Sequence, residues 1–286
     1  MTSMIDLHCH LLPGIDDGAR DLPSAITMAR QFVDDGVIAV ACTPHILPGL
    51  YQNTGSQIRA AVADLRAALQ EEGIPLEILT GADNHIVPDF VDGIRRGHLL
   101  TLADTRYVLV EPPHHVLPAR MEDLFFSLTL AGYVPILTHP ERLSWIRDNY
   151  ALILRLVGQG VWMQVTAGSL TGKFGRDAKY WAERLLGDGA VHILATDAHD
   201  PRNRLPELGR GRDLAARLVG HAEAQQLVYT RPLGVIQNCE PHVISPPSRE
   251  HASDAHSRAD RDGQAAARQR HPAGGIGRRL RSLFDR

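Results

Sequence analysis

Short apolar runs of β character alternate with stretches of helical period along most of the chain, and almost every run ends in an imidazole or a carboxylate. The runs are MIDLHC from Met4, VIAVACT from Val37, LEILTG from Leu76, YVLVE from Tyr107, VPILTH from Val134, VWMQVT from Val161 and HILATD from His192. Most are continuously apolar rather than alternating, which is the pattern of parallel strands covered on both faces. Between them, Ile26, Ala29 and Val33 fall in line within 24–36. Ile58, Val62, Leu65 and Leu69 do so within 56–73, where Gly73 offers a stop. Such alternation predicts an α/β fold with a parallel sheet. The number of units and the length of the patterned region suit a distorted TIM-like (β/α)7 barrel.

In a parallel barrel the carboxyl ends of the strands share one face, so side chains far apart in the chain converge there. The first run ends in His8 and His10, the second leads to His45, the third to Asp83 and the fourth to Glu111. The fifth leads to His139 and the last to Asp197 and His199. Asp16 and Asp17 follow the first run after a Pro-Gly turn, and Asp16 reads as an ordinary Asx turn before Gly18. Buried charge at this density is costly unless paired or coordinated, and divalent cations are the natural compensators. One His-x-His pair says little by itself; its repetition after nearly every strand is what points to a metal centre. Imidazole suits zinc, iron or manganese and carboxylates favour manganese or magnesium, which leaves the ion open.

Arg142 in HPER and Arg204 in DAHDPRNR stand just behind ligand candidates, and guanidinium groups match phosphate oxygens in bidentate fashion. Arg147 and Arg202 read as solvated loop cations. His85, His98, His192 and His221 lie off the strand ends and read as ordinary histidines, while His114 and His115 could line the mouth. Cys9 points away from His8 and His10 if the strand is regular, and reads as a small packing residue.

A net charge of −3 gives no ground for nucleic acid or an anionic membrane as the main partner. No run of about 20 apolar residues could span a bilayer, and no basic, apolar leader of the secretory kind opens the chain. The expected location is the cytoplasm. Three cysteines are too few for a disulfide framework, and none opens the C-x5-R loop that a cysteine-dependent phosphatase needs. Past residue 237 large apolar residues become scarce and no period persists. The expected organisation is a folded domain over 1–237 and a disordered Arg- and His-containing tail over 238–286.

Taken in order, MIDLHCHLLPGIDDGA, TPH…GLYQN, GADN, THPER and TDAHD…R resemble the PHP superfamily, and within it the bacterial protein-tyrosine phosphatases of capsule and exopolysaccharide operons. The resemblance covers about residues 4–237 and implies a PHP barrel with three divalent ions, manganese foremost and iron, zinc, magnesium or cobalt as substitutes. Carried over by position, it implies one ion on His8, His10, Asp83 and Asp197. A second would sit on Asp83, Glu111 and His139, and a third on Asp17, His45 and His199. It also implies that Arg142 and Arg204 hold the phosphoryl group, with His199 or a water assisting the tyrosinate to leave. The implied partner is a phosphorylated tyrosine kinase of polysaccharide assembly. Two departures stand out: Asp83 occupies a position that is usually Glu, and TPHI lacks a second histidine common in relatives.

Two other functions fit the same residues. One is a PHP phosphatase for a small monoester such as histidinol phosphate or a sugar phosphate. The other is a weakly active barrel that serves as a binding module for a polysaccharide kinase.

Overall fold

The computed structural model describes residues 3–248, and the later part of the expected tail, 249–286, lies outside the described residues. The strands are β1 (Met4–Cys9), β2 (Val37–Cys42), β3 (His45–Ile46), β4 (Glu77–Thr80), β5 (Asp83–His85), β6 (Tyr107–Glu111), β7 (Val134–Thr138), β8 (Trp162–Thr166) and β9 (Ile193–Ala195). The helices are α1 (Leu22–Asp34), α2 (Gly55–Glu71), α3 (Phe90–Arg95), α4 (Met121–Leu130), α5 (Ile146–Gly158), α6 (Ala167–Leu170), α7 (Gly175–Gly187), α8 (Leu208–Gln225) and α9 (Arg231–Ile236). All strand pairs in the two sheets, β1-β2-β4 and β3-β5-β6-β7-β8-β9, are parallel.

The two sheets form one curled layer. The second and third expected strands each break once, at Thr43–Pro44 and Gly81–Ala82, and continue as β3 and β5. Hydrogen bonds carry the layer past the breaks, from Thr43 N to Cys9 O (2.8 Å) and from Asp83 N to Pro44 O (3.2 Å). The far edge returns to the first strand through a parallel bridge, Cys9 with Ala198, and through Asp197 N donating to His8 O (2.8 Å). The fold is therefore α/β with a curled parallel sheet, consistent with a distorted barrel.

Helices cover the outside with the faces their periodicity predicts. Met28, Ala29 and Phe32 of α1 and Ile58, Val62, Leu65 and Leu69 of α2 are buried, and the Thr54 hydroxyl with Gln57 closes a capping box on α2. Inside the curl a second core gathers Ile5, Leu7, Ala41, Tyr107, Leu109, Ile136, Trp162 and Val235. Strict alternation from Ile5 and Leu7 would aim Cys9 inward. The register between β1 and β2 slips between Asp6 and Cys9, so Cys9 joins the outer core and His8 and His10 turn to the mouth. Asp6, buried behind them, accepts from Thr196 N and the Thr196 hydroxyl, tying the first strand to the last.

The tail boundary needs correction. Residues 238–248, expected to be unstructured, are held on the end of the layer remote from the strand carboxyl ends. Tyr107 donates to Cys239 O (2.9 Å), Arg106 pairs with Glu240, and the buried Arg231 guanidinium donates to Ser245 O and Pro246 O. Apart from the Glu240 side chain, the segment makes these contacts through backbone carbonyls, which composition does not reveal. Among the described residues no helix is long and apolar enough to cross a membrane.

Candidate metal centre

Each side chain expected at the mouth is there. His8 and His10 leave β1, His45 opens β3, Asp83 opens β5, Glu111 ends β6, and His139, Asp197 and His199 follow β7 and β9. His139 and Asp197 take left-handed backbone conformations (φ 34° and 51°), which are uncommon for non-glycine residues although His and Asp adopt them more readily than most. The chain thereby leaves each strand sharply at the position whose side chain faces the mouth, and strain of this kind gathers at functional sites.

The imidazoles are oriented from behind. The Gln164 amide oxygen lies 2.8 Å from His8 Nδ1 and accepts its proton, which leaves Nε2 facing the centre. The Asp16 carboxylate does the same for His10 Nδ1 at 2.7 Å. Asp16 does form the expected turn, accepting from Gly18 N at 2.9 Å, but its second oxygen anchors a mouth histidine, so it is more than a turn residue. Gly18 makes this possible, since a Cβ there would stand 2.2 Å from His10 O.

Asp83 lies centrally. Its Oδ2 is 3.5 Å from both His8 Nε2 and His45 Nδ1, and 4.0 Å from His139 Nε2. Glu111 Oε1 is 3.5 Å from His139 Nε2, and its Oε2 is 3.2 Å from His45 Nδ1. Asp197 Oδ1 lies 3.5 Å from His8 Nε2 and 3.3 Å from His10 Nε2. At the outer edge Asp17 Oδ1 reaches His45 Nε2 (3.5 Å) and His199 Nε2 (3.4 Å).

Electrostatics separates the groups by their surroundings. Burial pushes His8 down to about 3 and also lowers His139 and His199, so these rings stay neutral and keep a lone pair free. Burial opposes charge on His10 too, but Asp16 and Asp197 outweigh it and push the ring up to about 10. Burial, then the neighbouring Glu111, pushes Asp83 well above the usual carboxylate range. Glu111 and Asp197 go the other way: the histidines around one, and Arg204 and His8 beside the other, outweigh burial.

The residues fit divalent cations on one direct test. Both oxygens of Asp83, Nδ1 of His45 and Nε2 of His199 are buried and make no well-aligned hydrogen bond, while Glu111 Oε2 has only the rings of His85 and His45 against it. Unpaired buried acceptors of this number are costly, and a cation among them removes the cost. The donor atoms cluster accordingly: His8, His10 and Asp197; His8, Asp83 and His139; and His10, Asp17, His45 and His199 each lie within 4.8 Å of one another.

Arg142 and Arg204 meet on one atom. Both guanidinium groups contact Asp197 Oδ2, Arg204 at 2.6 Å. Phe174 lies beneath both, its ring centroid 4.4 Å from Arg142 Cζ and 5.6 Å from Arg204 Cζ. Beside Arg142 opens a cleft of about 250 Å³ lined in part by His114, Ser144, Phe174 and Trp181.

Several contributors escaped sequence reading. His85, an ordinary histidine by its place in the sequence, abuts Glu111 Oε2 because β5 continues the broken third strand and its third residue faces inward again. His114 Nε2 lies 3.1 Å from Glu111 Oε1, and Tyr51 stacks on His45 at 5.5 Å between centroids. Period-two spacing from Asp83 could have found His85; nothing local marks Gln164 or Phe174.

Against known proteins, the family described as capsular polysaccharide synthesis, CpsB/CapC, matches residues 4–237. The tyrosine-protein phosphatase YwqE of Bacillus subtilis is 41% identical over 201 residues, covering 70% of this chain and 79% of that protein. The tyrosine-protein phosphatase CpsB of Streptococcus pneumoniae is 24% identical over 240 residues, covering 82% of this chain and 99% of its own. A crystal structure from work on YwqE and CpsB, described as unique metal-dependent tyrosine phosphatases, superposes with a TM-score of 0.80 at 35% identity over 86% of this chain and 100% of its own. A β-aspartyl dipeptidase of Fervidobacterium islandicum, with a TM-score of 0.51 at 15% identity over 82% of this chain and 74% of its own, shares the fold alone. With the match running from the first strand to the last helix, the chain belongs to the CpsB/CapC capsular polysaccharide synthesis family.

Proposed function

We propose that the chain is a metal-dependent protein-tyrosine phosphatase with a PHP-type (β/α)7 barrel, acting on a tyrosine kinase of polysaccharide assembly. The observation that carries the reading is the cluster of buried imidazole and carboxylate donors around Asp83, whose own oxygens make no hydrogen bond, beside a pair of arginines. Three divalent cations, manganese foremost, fit the donors. His8, His10, Asp83 and Asp197 would hold one, Asp83, Glu111 and His139 a second, and Asp17, His45 and His199 a third. Such cations, when bound, lower the pKa of water towards neutrality and offset charge on a phosphoryl group.

The chain's own groups do the rest. Arg142 and Arg204 bind equatorial phosphoryl oxygens, exchanging Asp197 Oδ2 for the substrate. Gln164 and Asp16 hold the His8 and His10 rings by their Nδ1 protons. His199 Nδ1 lies 3.0 Å from Asp197 O, which keeps the proton on that nitrogen and leaves Nε2 a lone-pair donor. That tautomer suits a ligand better than a proton donor to the leaving group. Tyrosinate leaves readily enough to need little acid help.

Turnover of a phosphotyrosyl peptide should exceed that of histidinol phosphate and of sugar phosphates by orders of magnitude in kcat/KM. Comparable rates on a metabolite would replace this substrate class. Absence of aryl-phosphate hydrolysis with manganese, alongside retained kinase binding, would leave only a binding module. Rapid acid quench with radiolabelled substrate should trap no phosphorylated protein.

Two variants bear on the donors. Asp16→Ala frees the His10 ring and should weaken metal affinity about 10–100-fold, read by competition with a chromophoric chelator; unchanged affinity would deny Asp16 its orienting role. Asp83→Glu should keep activity and shift the preferred ion, tested by reloading the stripped protein with single metals. Loss of all metal from that variant would show that the centre is built to the shorter side chain.

A further inference from the structure

Of the apolar runs, that of β8 alone leads to neither an imidazole nor a carboxylate. The segment after it, AGSLTGKF, delivers a phenyl ring to the mouth instead. The single turn of α6 is followed by a tight return in which Lys173 N and the Thr171 hydroxyl both donate to Gly168 O at 2.9 Å. Glu141, inside the HPER segment, fastens this loop from below: its Oε1 accepts from Thr166 N (2.9 Å) and from the Ser169 hydroxyl (2.7 Å). The neighbours Glu141 and Arg142 thus fix, respectively, the loop that carries Phe174 and the guanidinium above its ring. Gly168 leaves the space, since a Cβ there would stand 2.9 Å from Phe174 Cε2.

Arg142 and Arg204 carry like charge and converge on one carboxylate oxygen. Something must keep them together when that oxygen is engaged elsewhere. A second carboxylate would do so but would compete with a phosphoryl group for the same N–H donors. An aromatic face attracts each cation through its quadrupole and takes up no N–H group.

We propose that Phe174 is a positioning residue that holds Arg142 and Arg204 as one anion-binding pair; this rests on the reading of the two arginines as the phosphoryl clamp. The test is binding of inorganic phosphate to the metal-loaded full chain by calorimetry, beside steady-state kinetics. Phe174→Leu should weaken phosphate binding about tenfold and raise KM alike, with kcat within about threefold and the metal content per chain unchanged. Phe174→Trp, which keeps an aromatic face, should retain phosphate affinity to within about threefold. Gly168→Ala, which displaces the ring without removing it, should move in the direction of Phe174→Leu.

Wild-type phosphate affinity in Phe174→Leu overturns the proposal, as does a Phe174→Trp protein no better than Phe174→Leu. A rise in KM for a phosphotyrosyl peptide with phosphate affinity intact also overturns it, assigning the ring to the substrate's phenol. If Arg142→Ala and Arg204→Ala leave phosphate affinity intact, the clamp reading falls and takes this inference with it. If they weaken binding and Phe174→Leu does not, this inference alone falls.

Discussion

Stripping divalent cations from the protein is expected to cut aryl-phosphate hydrolysis about a thousandfold and to lower the thermal midpoint by roughly 8–16 °C. The first figure follows from several kcal/mol of charge stabilisation by the cations at about 1.4 kcal/mol per tenfold in rate. The second follows from linkage. Ligand at about 1,000 times Kd adds about 4 kcal/mol to folding, and a domain of this size shifts by about 2–4 °C per kcal/mol. The stripped centre also keeps the buried Asp83 carboxyl beside Glu111 with no hydrogen bond to either Asp83 oxygen. Activity on p-nitrophenyl phosphate and melting followed by circular dichroism, before and after chelation and reloading, give both numbers. Undiminished hydrolysis by metal-free protein would end the metal-centre reading.

Arg142→Ala and Arg204→Ala should each lower kcat/KM about 10²–10³-fold, the cost of removing one preorganised donor to a developing oxyanion. Metal content should hold, because neither arginine is a donor to a cation. Lysine should not rescue either site, since a point charge cannot reproduce the planar fork. The double variant should fall short of the product of the singles, because the two guanidinium groups share Asp197 Oδ2 and the Phe174 ring. Single variants within threefold of wild type on a phosphotyrosyl peptide would remove both residues from the clamp.

How far the sequence could be read follows the range of the forces involved. Apolar runs are local, so β6 is found to the residue and the expected helices lie within about two residues of α1 and α2. The convergence of His8, His45, Glu111, His139 and Asp197 was also legible, because parallel topology sends all strand ends to one face. What the sequence hid is non-local. The breaks before β3 and β5 depend on hydrogen bonds to neighbouring strands, and with them went His85 and its place against Glu111. Gln164 is one amide in an apolar run until His8, from the other end of the chain, meets it. Residues 238–248 are held largely through backbone carbonyls, which have no sequence signature. Asp83 is the instructive middle case: its position was evident, while the lack of any partner for its oxygens required the three-dimensional arrangement.

Because the last strand closes against the first, with Asp197 N on His8 O, the centre spans nearly the whole length of the folded part. During synthesis at about 5–20 residues per second, His8 and His10 leave the ribosome on the order of ten seconds or more before Asp197 and His199. Until then the early imidazoles and acids lack the donors that the last strand brings. The complete donor set is therefore assembled only at ring closure, late in biosynthesis, and the ion found in purified protein is expected to track the growth medium at the time of expression.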